Sequence, residues 1–139
     1  MRHVCPKCDV PLFVLRFKGI EVDFCDQCRG VWLDAGELEE LLSRTGARAN
    51  DPLLKFQQQN GRVPVGHKHL CPRCDESLQE IQIEHSGSKV LALDKCPHGH
   101  GLWFDVDELE RLLGMFPSDS GAAKTIDCLN ELFGNKSKP

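Results

Sequence analysis

The stretch "CDQCRGVWLDAGELEELL", residues 25–42, returns as "CPHGHGLWFDVDELERLL", residues 96–113, without a gap at an offset of 71. Nearer the N-terminus, "HVCPKCDVPL" (3–12) returns as "HLCPRCDESL" (69–78) at an offset of 66. A self-similarity of this kind makes each copy one supersecondary unit. The five residues by which the offsets differ fall between the two cysteine clusters, where they lengthen a hairpin loop.

Both copies spell the same order of elements. After the first cysteine pair, "PLFVLRFKGIEVDFC" (11–25) holds two short runs rich in Val, Ile and Phe around a Lys-Gly turn, a hairpin signal. The second copy has "SLQEIQIE" and "KVLALDKC" around the longer "HSGS". A helix follows the second cluster and its tryptophan. Asp34 with Glu37, and Asp105 with Glu108, have capping-box spacing, and Leu38, Leu41, Leu42 and Leu109, Leu112, Leu113 form the buried stripes. Gly46 and Gly114 stand where a C′ glycine ends a helix.

These modules need a staple. With 139 residues, 6% aromatic and no Tyr, each copy of roughly 40–50 residues has too little apolar surface to fold securely alone. The eight cysteines could be disulfides or metal ligands. "MRHVCPKC" has no apolar leader core, and no stretch approaches the roughly 20 apolar residues of a membrane span. The expectation is a cytoplasmic protein without membrane association, and in a reducing compartment C-x-x-C pairs read as metal sites.

The first copy offers Cys5, Cys8, Cys25 and Cys28, two C-x-x-C pairs separated by 16 residues. That spacing suits a closed, structural four-thiolate Zn²⁺ site, and tetrahedral thiolates suit iron as well. The second copy offers Cys71, Cys74 and Cys96, but Gly99 falls where Cys28 stood. The fourth ligand is to be found among His100, His98 and Cys128. His100 is favoured, because Gly99 supplies the extra bend of a C-x-x-x-H turn, whereas His98 needs a tighter C-x-H turn and Cys128 needs the tail to fold back. Water in that position would make an open, catalytic zinc. No further motif supplies a general base, so the expectation is no enzyme and two Zn²⁺ per chain.

The run C-P-x-C, hairpin, C-x-x-C-x-G-x-W-x-D and "GEL" or "DEL" resembles the transcription-factor-IIB-type zinc-ribbon family of small bacterial proteins. Copy one matches at Cys5, Cys8, Cys25, Cys28, Gly30, Trp32, Asp34, Glu37 and Leu38. Copy two matches at Cys71, Cys74, Cys96, Gly101, Trp103, Asp105, Glu108 and Leu109, departing at Gly99. The resemblance covers residues 3–45 and 69–114. It implies that the histidine before the glycine, His100, takes the metal, and it brings an expectation of a transcription-related role.

The expected fold is therefore small metal-stabilised α+β. Two tandem zinc ribbons, each a β-hairpin with two zinc knuckles followed by a short helix, occupy 1–46 and 69–116. A linker, 47–68, is helical at 52–60 with Asp51 as N-cap and Pro52 at N1. A C-terminal helix and tail fill 117–139, with Ala122, Ile126, Leu129 and Phe133 on one face. That stripe packs either on the second ribbon or on another chain, which would be self-association.

Net charge is −4, falling to about −7 once two such sites are loaded, which opposes bulk attraction to nucleic acid. Only residues 46–69 are basic, with four Lys or Arg against one Asp. A protein partner and DNA or RNA binding through this linker are thus the two competing readings. Arg62, His67, Lys68 and Arg73 form a modest basic cluster. Trp32 and Trp103 could be stacking platforms for bases, but packing between hairpin and helix is preferred. His3 and His69 read as repeated surface residues, and Cys128 as a small buried hydrophobe.

Overall fold

A computed structural model describes residues 3–66, 69–85 and 88–133. Each copy begins with its hairpin. In the first, β1 (Phe13–Phe17) and β2 (Ile20–Phe24) are joined through Lys18 and Gly19, both at positive φ (51° and 82°). A two-residue turn of that kind matches the right-handed twist of the strands it joins. In the second, β4 (Gln79–His85) pairs with β5 (Ser88–Lys95) and shifts register at Ile83/Glu84. Ser86 and Gly87 of the expected longer turn lie outside the described residues.

Each copy also holds a third strand that the sequence did not announce, β3 (Val31–Asp34) and β6 (Gly101–Phe104). "VWL" and "GLWF" are buried throughout, so they lack the alternation that marks a half-exposed strand. Through these strands the copies join. Among the described residues, six strands form one antiparallel sheet in the order β1-β2-β3-β6-β5-β4. Trp32 pairs with Trp103, Val31 with Phe104 and Leu33 with Leu102. Because Trp32 and Trp103 are equivalent positions, the approximate two-fold that relates the copies passes through this pair.

The two faces of the sheet divide the labour. Ile20, Val22, Phe24, Val31, Leu33, Ile81, Ile83, Leu91, Leu93, Leu102 and Phe104 point to one side, where they pack with the leucines of α1 (Glu37–Arg44) and α2 (Glu108–Leu113). The period of two then sends Trp32 and Trp103 to the other side, among the cysteines, Leu12 and Leu78. Both indoles are fully buried. They do not lie between hairpin and helix as expected, because the third strand places them on the opposite face. There each ring covers the other copy's glycine: a Cβ at Gly101 would stand 2.7 Å from Trp32 Cζ2, and one at Gly30 would overlap the Trp103 ring.

The helix starts differ from the capping-box expectation. Glu37 Oε1 accepts from Asp34 N at 2.8 Å and Glu108 Oε1 from Asp105 N at 2.7 Å, which is half of the motif. Asp34 and Asp105 do not complete it, since the first helical residues are Glu37 and Glu108 themselves and the N-caps are Gly36 and Asp107, at φ 86° and 72°. The aspartates bond the indoles instead: Trp32 Nε1 donates to Asp34 at 2.7 Å and Trp103 Nε1 to Asp105 at 3.0 Å. At the other end, Gly46 has the left-handed φ of 91° expected of a C′ residue. Gly114 does not; at φ −68° it is ordinary right-handed backbone.

The linker forms a 3₁₀ helix, Pro52–Gln58, capped by Asp51, which accepts from Leu53 N at 2.8 Å. Leu54 and Phe56 are buried from it, and Lys95 Nζ donates to Gln57 O at 2.8 Å. The tail helix α3 (Ala122–Phe133) lies against α2 and α1. Ala122 and Leu129 are buried, Ile126 and Phe133 partly so, and Phe133 stacks on Phe24 at 5.0 Å between ring centroids. Buried Thr125 bonds Thr45 at the end of α1. The stripe is thus covered by both copies of its own chain.

Candidate metal centres

The first knuckle of each ribbon is a tight turn folded around its leading cysteine. Cys5 N donates to Val10 O at 2.8 Å and Asp9 N to Cys5 O at 3.0 Å, while Lys7 N and Cys8 N both point at Cys5 Sγ at 3.3 Å. The copy repeats this with Cys71 N to Glu76 O (2.8 Å), Asp75 N to Cys71 O (2.9 Å) and Arg73 N to Cys71 Sγ (3.3 Å). Asp9 and Asp75 close the turns at φ 60° and 65°, a conformation that Asp tolerates better than most residues. Amide hydrogens gathered on a sulfur favour its thiolate.

The second knuckles solve the same problem in two ways. Cys28 N donates to Cys25 Sγ at 3.4 Å, and the left-handed residue is Arg29 (φ 66°), immediately after the sulfur it follows. In copy two the left-handed residue is Gly99 (φ 79°), one position earlier in the alignment, and the chain turns before His100. His100 Nδ1 thereby comes within 3.3 Å of Cys96 Sγ. The side chain that Arg29 supplies at the equivalent place goes elsewhere, with Nη2 donating to Phe133 O at 2.7 Å and the guanidinium 5.1 Å from the centre of the Phe24 ring.

Two donor groups result. Ligand atoms of Cys5, Cys8, Cys25 and Cys28 all lie within 4.8 Å of one another, and so do those of Cys71, Cys74, Cys96 and His100. Cys5 and Cys28 sulfurs are 3.7 Å apart, as are those of Cys74 and Cys96. Neither His98 nor Cys128 enters a group. Cys128 is partly exposed on α3 rather than buried, because its position falls beside the stripe and not within it.

The chemistry of the donors fits zinc. Burial pushes the Cys71 thiol up to about 12 and the Cys28 thiol to about 11, and moves Cys5 further in the same direction. Cys25 is buried too, but amide hydrogen bonds from Cys28 and Gln27, together with hydrogen bonds from the Cys5 and Cys28 thiols, outweigh that and bring it down. In the first group a packed set of thiols with one already favoured as thiolate calls for a cation at its centre, and in both groups Zn²⁺ supplies the charge that ionises buried thiols. Two zinc ions fit the two groups, each with four protein donors and no coordination position left open.

Sequence reasoning missed the residues that brace these sites. Lys7 Nζ lies 2.7 Å from Asp105, across the two-fold. Its equivalent, Arg73, donates to Asp34 from Nε at 2.9 Å and from Nη2 at 3.1 Å, pairs with Asp23, and meets His3 Nδ1 at 2.9 Å. A signal existed: a basic residue between the cysteines of both C-P-x-C motifs, and an Asp two residues after both tryptophans. Arg73 therefore does not belong to an exposed basic cluster. Arg73 is drawn inward, Arg62 bonds Glu80 through its backbone, and His67 and Lys68 lie outside the described residues. His3 and His69 are likewise engaged, His69 Nδ1 lying 4.0 Å from Asp94.

Among the described residues no helix is long and apolar enough to cross a membrane. The transcription factor zinc-finger family model matches residues 4–44 and 70–114, well over half of the chain, and the chain belongs to that family. No curated protein and no solved structure matches it.

Proposed function

We propose that this member of the transcription factor zinc-finger family is a non-enzymatic, cytoplasmic adaptor that binds another protein, with zinc held by Cys5, Cys8, Cys25 and Cys28 and by Cys71, Cys74, Cys96 and His100. Residues 1–46 and 69–116 act as its two ribbons, 47–68 as linker and 117–139 as a C-terminal helix and tail. Closed four-donor sets support a structural rather than catalytic metal. The observation that carries the adaptor reading is the inward commitment of the groups a nucleic-acid binder would display. Both tryptophans are fully buried, and Arg73 is bound to Asp23 and Asp34. An acidic chain that has withdrawn its stacking rings and its central arginine is a poor match for phosphates.

Duplex DNA, single-stranded DNA and RNA titrated at two salt concentrations should show no saturable binding even at low salt. Saturable binding with a steep salt slope would instead establish the linker as a nucleic-acid contact. Metal analysis should give two zinc ions per chain. A strong chelator should abolish the folded circular dichroism, since structural zinc contributes on the order of 10 kcal/mol or more per site.

A further inference from the structure

The residue just before the second cysteine of each first knuckle is committed to the other ribbon. Lys7, between Cys5 and Cys8, reaches Asp105 at 2.7 Å; Arg73, between Cys71 and Cys74, reaches Asp34 and Asp23. Their aspartate targets are not free surface groups. Asp34 and Asp105 already accept from the indoles of Trp32 and Trp103, and their own N–H groups are held by Glu37 and Glu108. Each ion pair therefore fixes the turn that leads from the opposite ribbon's tryptophan strand into its helix. A third link runs through the backbone, where Ala35 N donates to His100 O at 2.9 Å. The indoles form a fourth, each covering the glycine that follows the other ribbon's second knuckle.

We propose that the two metal sites are thermodynamically coupled, so that filling either one raises the metal affinity of the other, with Lys7 and Arg73 carrying the coupling. The inference rests on the ligand assignment given above. Metal bound to both cysteines would lock the C-x-x-C turn more firmly than its hydrogen bonds alone, and with it the side chain that precedes the second cysteine. Metal in ribbon 2 thus positions Arg73 against ribbon 1, and metal in ribbon 1 positions Lys7 against ribbon 2. Ordering done by the first ion need not be repeated for the second, and linkage requires the same factor in both directions. A factor of roughly tenfold is in the usual range for such coupling. The Arg73 arm is the more extensive: its side chain is 14% exposed and reaches two carboxylates, Asp23 and Asp34, whereas Lys7, 34% exposed, reaches Asp105 alone.

The test is a cobalt(II) titration of the reduced, metal-stripped full chain, in competition with a chelator. Four-sulfur and three-sulfur, one-nitrogen sites give different visible bands, so each site is followed separately. In Arg73→Gln the four-cysteine site of ribbon 1, whose ligands are untouched, should weaken by roughly tenfold. In Lys7→Gln the ribbon 2 site should weaken by a smaller factor, and this variant, altering the more exposed pair, keeps the test open if Arg73→Gln fails to fold. Two metals per chain with each substitution felt only at its own knuckle, or at neither, would overturn the coupling while leaving the ligands intact. Saturation below two metals per chain would overturn the ligand assignment and the coupling with it.

Discussion

Replacing Gly101 with alanine tests the seam on which the continuous sheet depends. The new Cβ would press on Leu33 O and stand 2.7 Å from Trp32 Cζ2 and 3.0 Å from Asp34 Cα. None of these atoms is the free end of a flexible side chain. Leu33 O is backbone of the paired strand and the indole is fully buried, so β6 must move away from β3. A single overpacked methyl in a core costs about 1–3 kcal/mol. With rigid backbone on one side and a buried ring on the other, the upper figure applies, about 3 kcal/mol. For a chain of this length each 1 kcal/mol moves Tm by about 2–4 °C, giving a fall of about 6–12 °C. The assay is a thermal melt of the zinc-loaded protein followed by both far-ultraviolet circular dichroism and tryptophan fluorescence. The indole emission should shift to the red in the folded variant as the Trp32–Trp103 pair opens. Zinc content measured alongside separates this from damage at the neighbouring His100. A variant that melts within a degree of the parent, with unshifted emission, would refute the tight apposition of the two ribbons.

Three further outcomes follow from particular positions. Gly46→Ala should lose about 1 kcal/mol because a side chain is strained at φ 91°, whereas the equivalent Gly114→Ala, at φ −68° with nothing nearer than 3.5 Å, should gain about 0.5 kcal/mol; equal costs in a denaturant series would contradict the two conformations. His100→Ala should take zinc content at saturation from two to about one, and His98→Ala should leave it at two; the opposite pattern in metal analysis would move the ligand by two residues. Burial raises Glu37 to about 7, ahead of the repulsion from Asp34 and Asp23. The folded state then takes up a proton more readily than the unfolded, so the stability this group contributes is complete below its ordinary value and is lost as pH rises through about 7. Glu37→Gln keeps an oxygen for Asp34 N and carries no charge. After discounting for the group's exposure, it should be more stable than the parent by about 1 kcal/mol at pH 8, with the advantage vanishing toward pH 5. A difference that does not change across paired melts at each pH would show that Glu37 is solvated.

The repeat made much of this molecule legible. Knuckles, hairpins and leucine helices are local, and each is spelled out within about 20 contiguous residues. His100 and its preceding glycine could be singled out because the second copy had to close the same group with one cysteine fewer, and Gly99 does adopt the left-handed conformation such a turn requires. Local reasoning failed where a residue serves the other half of the chain. Asp34 and Asp105 sit at capping-box spacing, yet their carboxylates go to an indole and to a cation from the opposite ribbon. The expectation that Trp32 packs against its own helix fails because β3, buried along Val31–Leu33, carries no alternation to reveal that it is a strand.

The approximate two-fold supplies what local reading lacks. When a strand pairs with its own repeat, a residue at the axis meets its equivalent, as Trp32 meets Trp103, and a residue off the axis meets the equivalent of some other position. A glycine two residues before each tryptophan then has a reason: the ring needs space on the partner strand, and the partner is the same sequence. The same logic makes a basic residue inside each C-P-x-C and an aspartate after each tryptophan complementary across the axis, although Lys7 and Asp105, or Asp34 and Arg73, lie far apart along the chain. Charges that recur at opposite sign in both copies, and glycines that recur beside aromatic residues, are therefore evidence that two repeats fold onto each other. Two ribbons that were merely tethered would leave Lys7 and Arg73 without those carboxylates and the two glycines without a ring across the strand.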